Sequence, residues 1–123
     1  MLPREHRLHR AEDFSTTVKR GRQAGRRTLV GHLLVPPTAR ALEPESAPPR
    51  IGFVVSRAVG NAVTRHRVTR RLRHVAQSRA PRLPAGSLLV LRALTPAGSA
   101  TSADLAADLD AALDRLLPPH VTP

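Results

Sequence analysis

The sequence predicts a small α+β fold, and three observations carry that prediction. Two near-continuous apolar runs, Arg50–Ser56 and Ser87–Ala93, flank a long stretch with helical periodicity, the pattern of a βαβ unit with a parallel strand pair. A further β-type run, Thr28–Val35, precedes them, and helical segments stand towards both ends of the chain. At 123 residues the chain is long enough to bury one modest core, so a single domain over residues 1–123 is expected.

Residues 1–10 are basic and irregular. Ala11–Arg20 reads as a short helix, with acids in its first turn, cations in its last, and Gly21 as a stop. Phe14 and Val18 are four apart and share one face; spacing alone makes them core residues under a sheet. The GRQAGRR segment that follows reads as a flexible basic connector. His32 falls inside the run Thr28–Val35, where a lone strand histidine is expected to be a partly exposed surface residue. Residues 36–49 hold five prolines together with Glu43 and Glu45, a composition that marks a flexible loop between strands.

In Arg50–Ser56, near-continuous apolarity suggests burial on both faces. A helix is expected from Asn61 to Ser78, with Asn61 as N-cap after Gly60 and an end before Pro81. Ser102–Leu117 is amphipathic, with Leu105, Leu109, Leu113 and Leu116 in one stripe and Asp104, Asp108, Asp110 and Asp114 elsewhere. Residues 118–123 form a short tail.

Charge supplies the functional signal. The formal net charge is +11, from 20 Lys+Arg against nine Asp+Glu, and Lys19 is the lone lysine. Arginine grips phosphate oxygens in pairs, although the preference for Arg over Lys also reads as a GC-rich coding bias. That bias does not explain the uneven placement: no Asp or Glu occurs between Ser46 and Ala103, and seven arginines fall between Ser56 and Arg79. Such a helix repels itself unless a polyanion lies against it, and a phosphate backbone is the commonest polyanion. The acids of the C-terminal half all sit on the last helix, which is therefore expected to lie away from the nucleic acid.

Other classes are disfavoured. Cysteine is absent, so neither disulfides nor a thiolate metal site is available. No apolar run reaches 18 residues and the N-terminus lacks an apolar signal region, so no membrane partner is expected and the cytoplasm is the default location. Phe14 and Phe53 are the only aromatics, which excludes stacking on several bases as the main binding mode. No HExxH, nucleophile–base–acid set or glycine-rich nucleotide motif occurs, so no protein catalytic residues are expected. DNA binding by a freely docking recognition helix is awkward for a helix held between buried strands.

On the geometry of 100° per residue, Val68, Leu72, Val75 and Ala76 form a core stripe on the basic helix. His66, Arg67, Arg70, Arg71, Arg73 and His74 spread over the remaining arc as a cationic ridge, while Arg65 projects beside the stripe along the sheet end. The turn Arg57–Gly60 before the capped helix is expected to leave several backbone N–H groups free as a phosphate seat. These features leave two readings open: sequence-independent nucleic-acid binding, and a ribosome-associated structural RNA-binding protein.

Arg50-Ile51-Gly52-Phe53-Val54-Val55-Ser56-Arg57, then Gly60-Asn61-Ala62-Val63, Arg65-His66-Arg67 and Arg70-Arg71, closely resembles the signature of the bacterial ribonuclease P protein subunit. Glu12-Asp13-Phe14 with Gly21 downstream also fits, and the resemblance spans nearly the whole chain. It implies a small two-layer α+β sandwich resembling ribosomal protein S5 domain 2, with a left-handed βαβ crossover carrying the basic helix. It also implies a protein that assists a catalytic RNA in removing the 5′ leader of precursor tRNA. In that scheme the RNA and its Mg2+ ions perform the hydrolysis. The RNA-binding residues it implies are Arg57, Asn61, Arg65, His66, Arg67, Arg70, Arg71 and Arg73. The leader-binding residues are Phe14, Val18 and His32. His66 and Thr69 depart from the family pattern, and Val18 and His32 replace residues that are often aromatic.

Overall fold

The computed structural model describes residues 11–35 and 48–117. The basic N-terminal decapeptide, residues 36–47 of the Pro-rich connection and the 118–123 tail lie outside the described residues. The elements in order are α1 (Ala11–Arg20), β1 (Arg22–Gly25), β2 (Leu29–Leu34), β3 (Arg50–Val54), α2 (Ala62–Arg79), β4 (Leu88–Ala93) and α3 (Ser102–Leu116). Three 3-10 turns, Arg57–Val59, Ala80–Arg82 and Thr95–Ser99, connect them.

The four strands form one sheet in the order β1-β2-β4-β3. The first two neighbouring pairs are antiparallel, and β3 pairs with β4 in parallel with Gly52 opposite Val90, as expected for strands joined through a helix. The segment read as a flexible connector is instead β1, which pairs Arg22 with Leu33 and Gly25 with Val30. Its strand character comes from backbone pairing with the apolar β2, since Ala24 is its only buried side chain. The hairpin is tied to α3 at both ends. Arg22 donates to the carbonyls of Leu116 and Arg115, and the Thr28 amide and hydroxyl both donate to Asp108 Oδ2.

Alternation divides the sheet into two faces. Leu29, Gly31, Leu33, Leu89 and Leu91 share the face that carries α2 and α3. α3 packs tightly over Gly31: a Cβ there would lie 3.1 Å from the Leu116 side chain. The Val68, Leu72, Val75 and Ala76 stripe of α2 joins this core, as do Leu105, Leu109, Leu113 and Leu116 of α3. The sheet and the pair α2 and α3 form two layers on this side, but the expected two-layer arrangement is not the whole fold, because the other face is covered as well. On the opposite face, Val30, His32 and Val90 are also buried, and α1 is the described helix that packs on β2 and β4. Gly21 follows α1 where no side chain fits, since a Cβ there would meet the Thr17 carbonyl at 2.5 Å and the Leu33 carbonyl at 2.7 Å.

Candidate nucleic-acid interface

Asn61 caps α2 as its side chain predicts, with Oδ1 accepting from the Thr64 amide at 2.9 Å. The preceding turn requires glycine at position 60, whose φ of 154° is open to few L residues and whose Cβ would lie 2.8 Å from Thr64. The phosphate seat expected over Arg57–Gly60 is narrower than the sequence suggests. The Val59 and Gly60 amides are spent on the Ser56 and Arg57 carbonyls, which leaves the exposed Arg57 side chain and the first turn of α2 to meet an anion.

The five arginines of α2 from Arg65 to Arg73 separate into three groups. His66, Arg70 and Arg73 are exposed along the helix, as is His74. Arg73 lies over the Phe53 ring, 6.0 Å from its centroid, a cation–π contact that spacing along α2 alone does not reveal. Arg67 and Arg71 reach sideways to a neighbouring turn. Arg67 Nη2 donates to the Gly98 carbonyl at 3.1 Å and Arg71 Nη1 to the Ala100 carbonyl at 2.6 Å. Each still has N–H groups to offer, so both arginines hold protein and face solvent together.

Arg65 stands apart, as its position beside the apolar stripe predicts. It is half-buried at the end of β3, in a groove of about 590 Å³ that it lines with Val55, Thr69, Arg70 and Arg73. Its Nε is buried without a hydrogen-bond partner among the described residues. Thr69 spends its hydroxyl on the Arg65 carbonyl at 2.8 Å and keeps that wall of the groove neutral.

The acids of α3 are engaged within the protein. Asp104 forms a capping box with Thr101, whose hydrogen bonds hold the carboxyl below its ordinary range. Asp110 accepts from both Nε and Nη2 of Arg79, and that contact likewise lowers its pKa. Arg82 reaches Asp114 at 2.8 Å, while Asp108 receives Thr28. These ion pairs thus join the C-terminal end of α2 to α3, and among the described residues no carboxylate pairs with the arginines in the middle of α2.

The second candidate surface lies where α1 crosses the opposite face of the sheet. Phe14 is half-buried and Val18 is 41% exposed, so both present apolar surface to solvent instead of closing a core. His32 differs from its expected surface position: it is 2% exposed, and neither ring nitrogen has a partner among the described residues. Its strand is central and covered by α1, a property that a lone histidine in a strand pattern does not reveal. Burial, with the Arg92 charge adding to it, pushes the imidazole below its ordinary pKa. Exposed Arg92 and Arg50 belong to this face by strand register, and Arg50 lies 4.0 Å from Asp13 of α1. Neither was visible as a site residue from spacing alone.

The family model described as Ribonuclease P matches residues 2–117. The chain is 60% identical over 118 residues to the Ribonuclease P protein component of Streptomyces avermitilis, covering 95% of this chain and 96% of that one. It is 51% identical over 116 residues to the protein of the same name from Corynebacterium diphtheriae, covering 94% and 97%. The fold matches the solved structure of Staphylococcus aureus RNase P protein with a TM-score of 0.73 at 22% identity, over 89% of this chain and 94% of that one.

Proposed function

The chain belongs to the ribonuclease P protein family and is the protein component of that tRNA 5′-maturation endoribonuclease; on that premise we propose that α2 binds the catalytic RNA while the α1 face holds the leader of precursor tRNA. The observation that carries the first half is the divided use of charge on α2. The acids near its C-terminal end are neutralised by Arg79 and Arg82, whereas His66, Arg70 and Arg73 stand exposed. Arg57, Asn61, Arg65, Arg67 and Arg71 complete the RNA-binding surface, Asn61 by fixing the start of the helix and Arg67 and Arg71 through their remaining N–H groups.

Phosphates docking on this ridge release condensed counterions, so binding is driven by charge and tolerant of RNA sequence. On the other face, Phe14 and Val18 supply apolar surface for unpaired leader nucleotides, with Arg50 and Arg92 able to meet their phosphates. His32 supports this surface from beneath. Mature tRNA lacks a leader, so contacts made there favour precursor over product.

The hydrolytic chemistry is assigned to the RNA and to Mg2+ that it holds. The residues of this chain bind and position the RNA in this scheme. We read the chain as one RNA-binding domain acting in the cytoplasm, with an S5-like fold and a left-handed crossover through α2, and with neither DNA nor membrane as partner. No helix among the described residues is long and apolar enough to cross a membrane.

The salt dependence of RNA binding tests the ridge. With about five phosphate contacts, log K falls against log salt with a slope of about −4 to −5, and Arg70→Ala or Arg73→Ala reduces its magnitude by about one. A nearly flat dependence rejects α2 as the contact surface.

A further inference from the structure

Val63 is the anomaly of the basic helix. It is 73% exposed, whereas Val68 and Leu72 of the same helix are fully buried. At 100° per residue, Val63, Arg67, Arg70 and His74 fall along one line of α2, so this valine stands at the N-terminal end of the cationic ridge, on its line. A depression of about 580 Å³ lies there, lined by Ala62, Val63, His66, Arg67, Arg70 and Arg71. Among the described residues no carboxylate lines it.

A β-branched residue in the first turn of a helix, without core contacts, contributes little to folding and forms helix less readily than alanine. Its methyl groups are held out to solvent between cations. An apolar floor with cationic walls matches a nucleotide: ribose carbons and a base face cover the methyls while the flanking phosphates meet the arginines. A second copy of this chain fits poorly, since two surfaces of this charge repel in a protein of net charge +11.

We propose that Val63 is an apolar seat for one unpaired nucleotide of the RNA bound on α2, contributing affinity that does not depend on counterion release. The inference rests on the assignment of α2 to the catalytic RNA, and salt separates the two. Binding of the full chain to a cognate ribonuclease P RNA is measured over a salt series for wild type, Val63→Ala and Val63→Thr. Threonine keeps the branched shape and exchanges a methyl for a hydroxyl.

Loss of the buried methyls weakens binding by roughly five- to tenfold for Val63→Ala at every salt concentration, with the slope of log K against log salt unchanged. Val63→Thr gives a smaller loss in the same pattern, and both variants unfold in urea at or above the wild-type midpoint. Unchanged affinity on a steep wild-type slope overturns the seat alone, as does a changed slope or a destabilised fold in both variants. A flat wild-type slope overturns the α2 assignment and the seat with it. A concentration-dependent dimer that Val63→Ala abolishes assigns the valine to a second copy and also overturns the inference.

Discussion

Arg71 donates from Nη1 to the carbonyl oxygen of Ala100 at 2.6 Å, joining the basic helix to the turn that leads into α3. Arg67 makes a parallel contact to Gly98. The two turns flanking this contact are close-packed, because a Cβ on Gly98 would lie 2.6 Å from the Val59 carbonyl. The start of α2 and the start of α3 are thereby fixed to each other, and two arginines of the RNA-facing surface are part of the fixing.

Arg71→Ala is therefore expected to cost stability as well as RNA affinity. A charge-assisted hydrogen bond from a half-buried arginine contributes roughly 1 kcal/mol. Arg70→Ala, which breaks no contact of this kind, should stay within about 0.5 kcal/mol of wild type. Urea unfolding midpoints of the two variants check the distinction; equal stabilities refute the structural role of Arg71.

His32 makes stability depend on pH. Its folded-state pKa is lowered, so below about pH 6.5 the unfolded chain takes up a proton that the folded chain refuses. The stabilisation from the neutral ring is complete above that pH and declines as pH falls towards the folded value, by about 1.4 kcal/mol per pH unit at most. His32→Leu should flatten the dependence between pH 7.5 and 5.5, and denaturation at both pH values measures it. An unchanged dependence in the variant assigns the effect elsewhere.

The contrast between predicted and observed structure follows which interactions write themselves into local sequence. The strands β2, β3 and β4 and the helices α2 and α3 were legible because each buries an apolar run or stripe. The short strand β1 was not, because only Ala24 is buried in it and its pairing is supplied by β2 and by Arg22 on the end of α3. Helical geometry gave the direction of Arg67 and Arg71 but not the turn at Thr95–Ser99 that receives them. Likewise, a lone histidine in a strand pattern reads as a partly exposed surface residue, while the burial of His32 depends on α1 arriving from another part of the chain.

Phe14→Ala separates the two proposed surfaces. Removing the half-exposed ring should weaken precursor tRNA binding by the holoenzyme by roughly tenfold, the scale of one base–aromatic stack, with mature tRNA unaffected. Paired affinity measurements decide it, and an equal loss for both ligands rejects the leader role of the α1 face.

Reconstitution tests the central claim most directly. The protein is added to a cognate ribonuclease P RNA at a magnesium concentration too low for the RNA to act alone, and release of the precursor tRNA leader is followed. Cleavage restored by the wild-type chain, and diminished when Arg65, Arg70 and Arg73 are replaced together by alanine, is the predicted result. Cleavage that the protein fails to restore, or that the triple variant restores in full, contradicts the account.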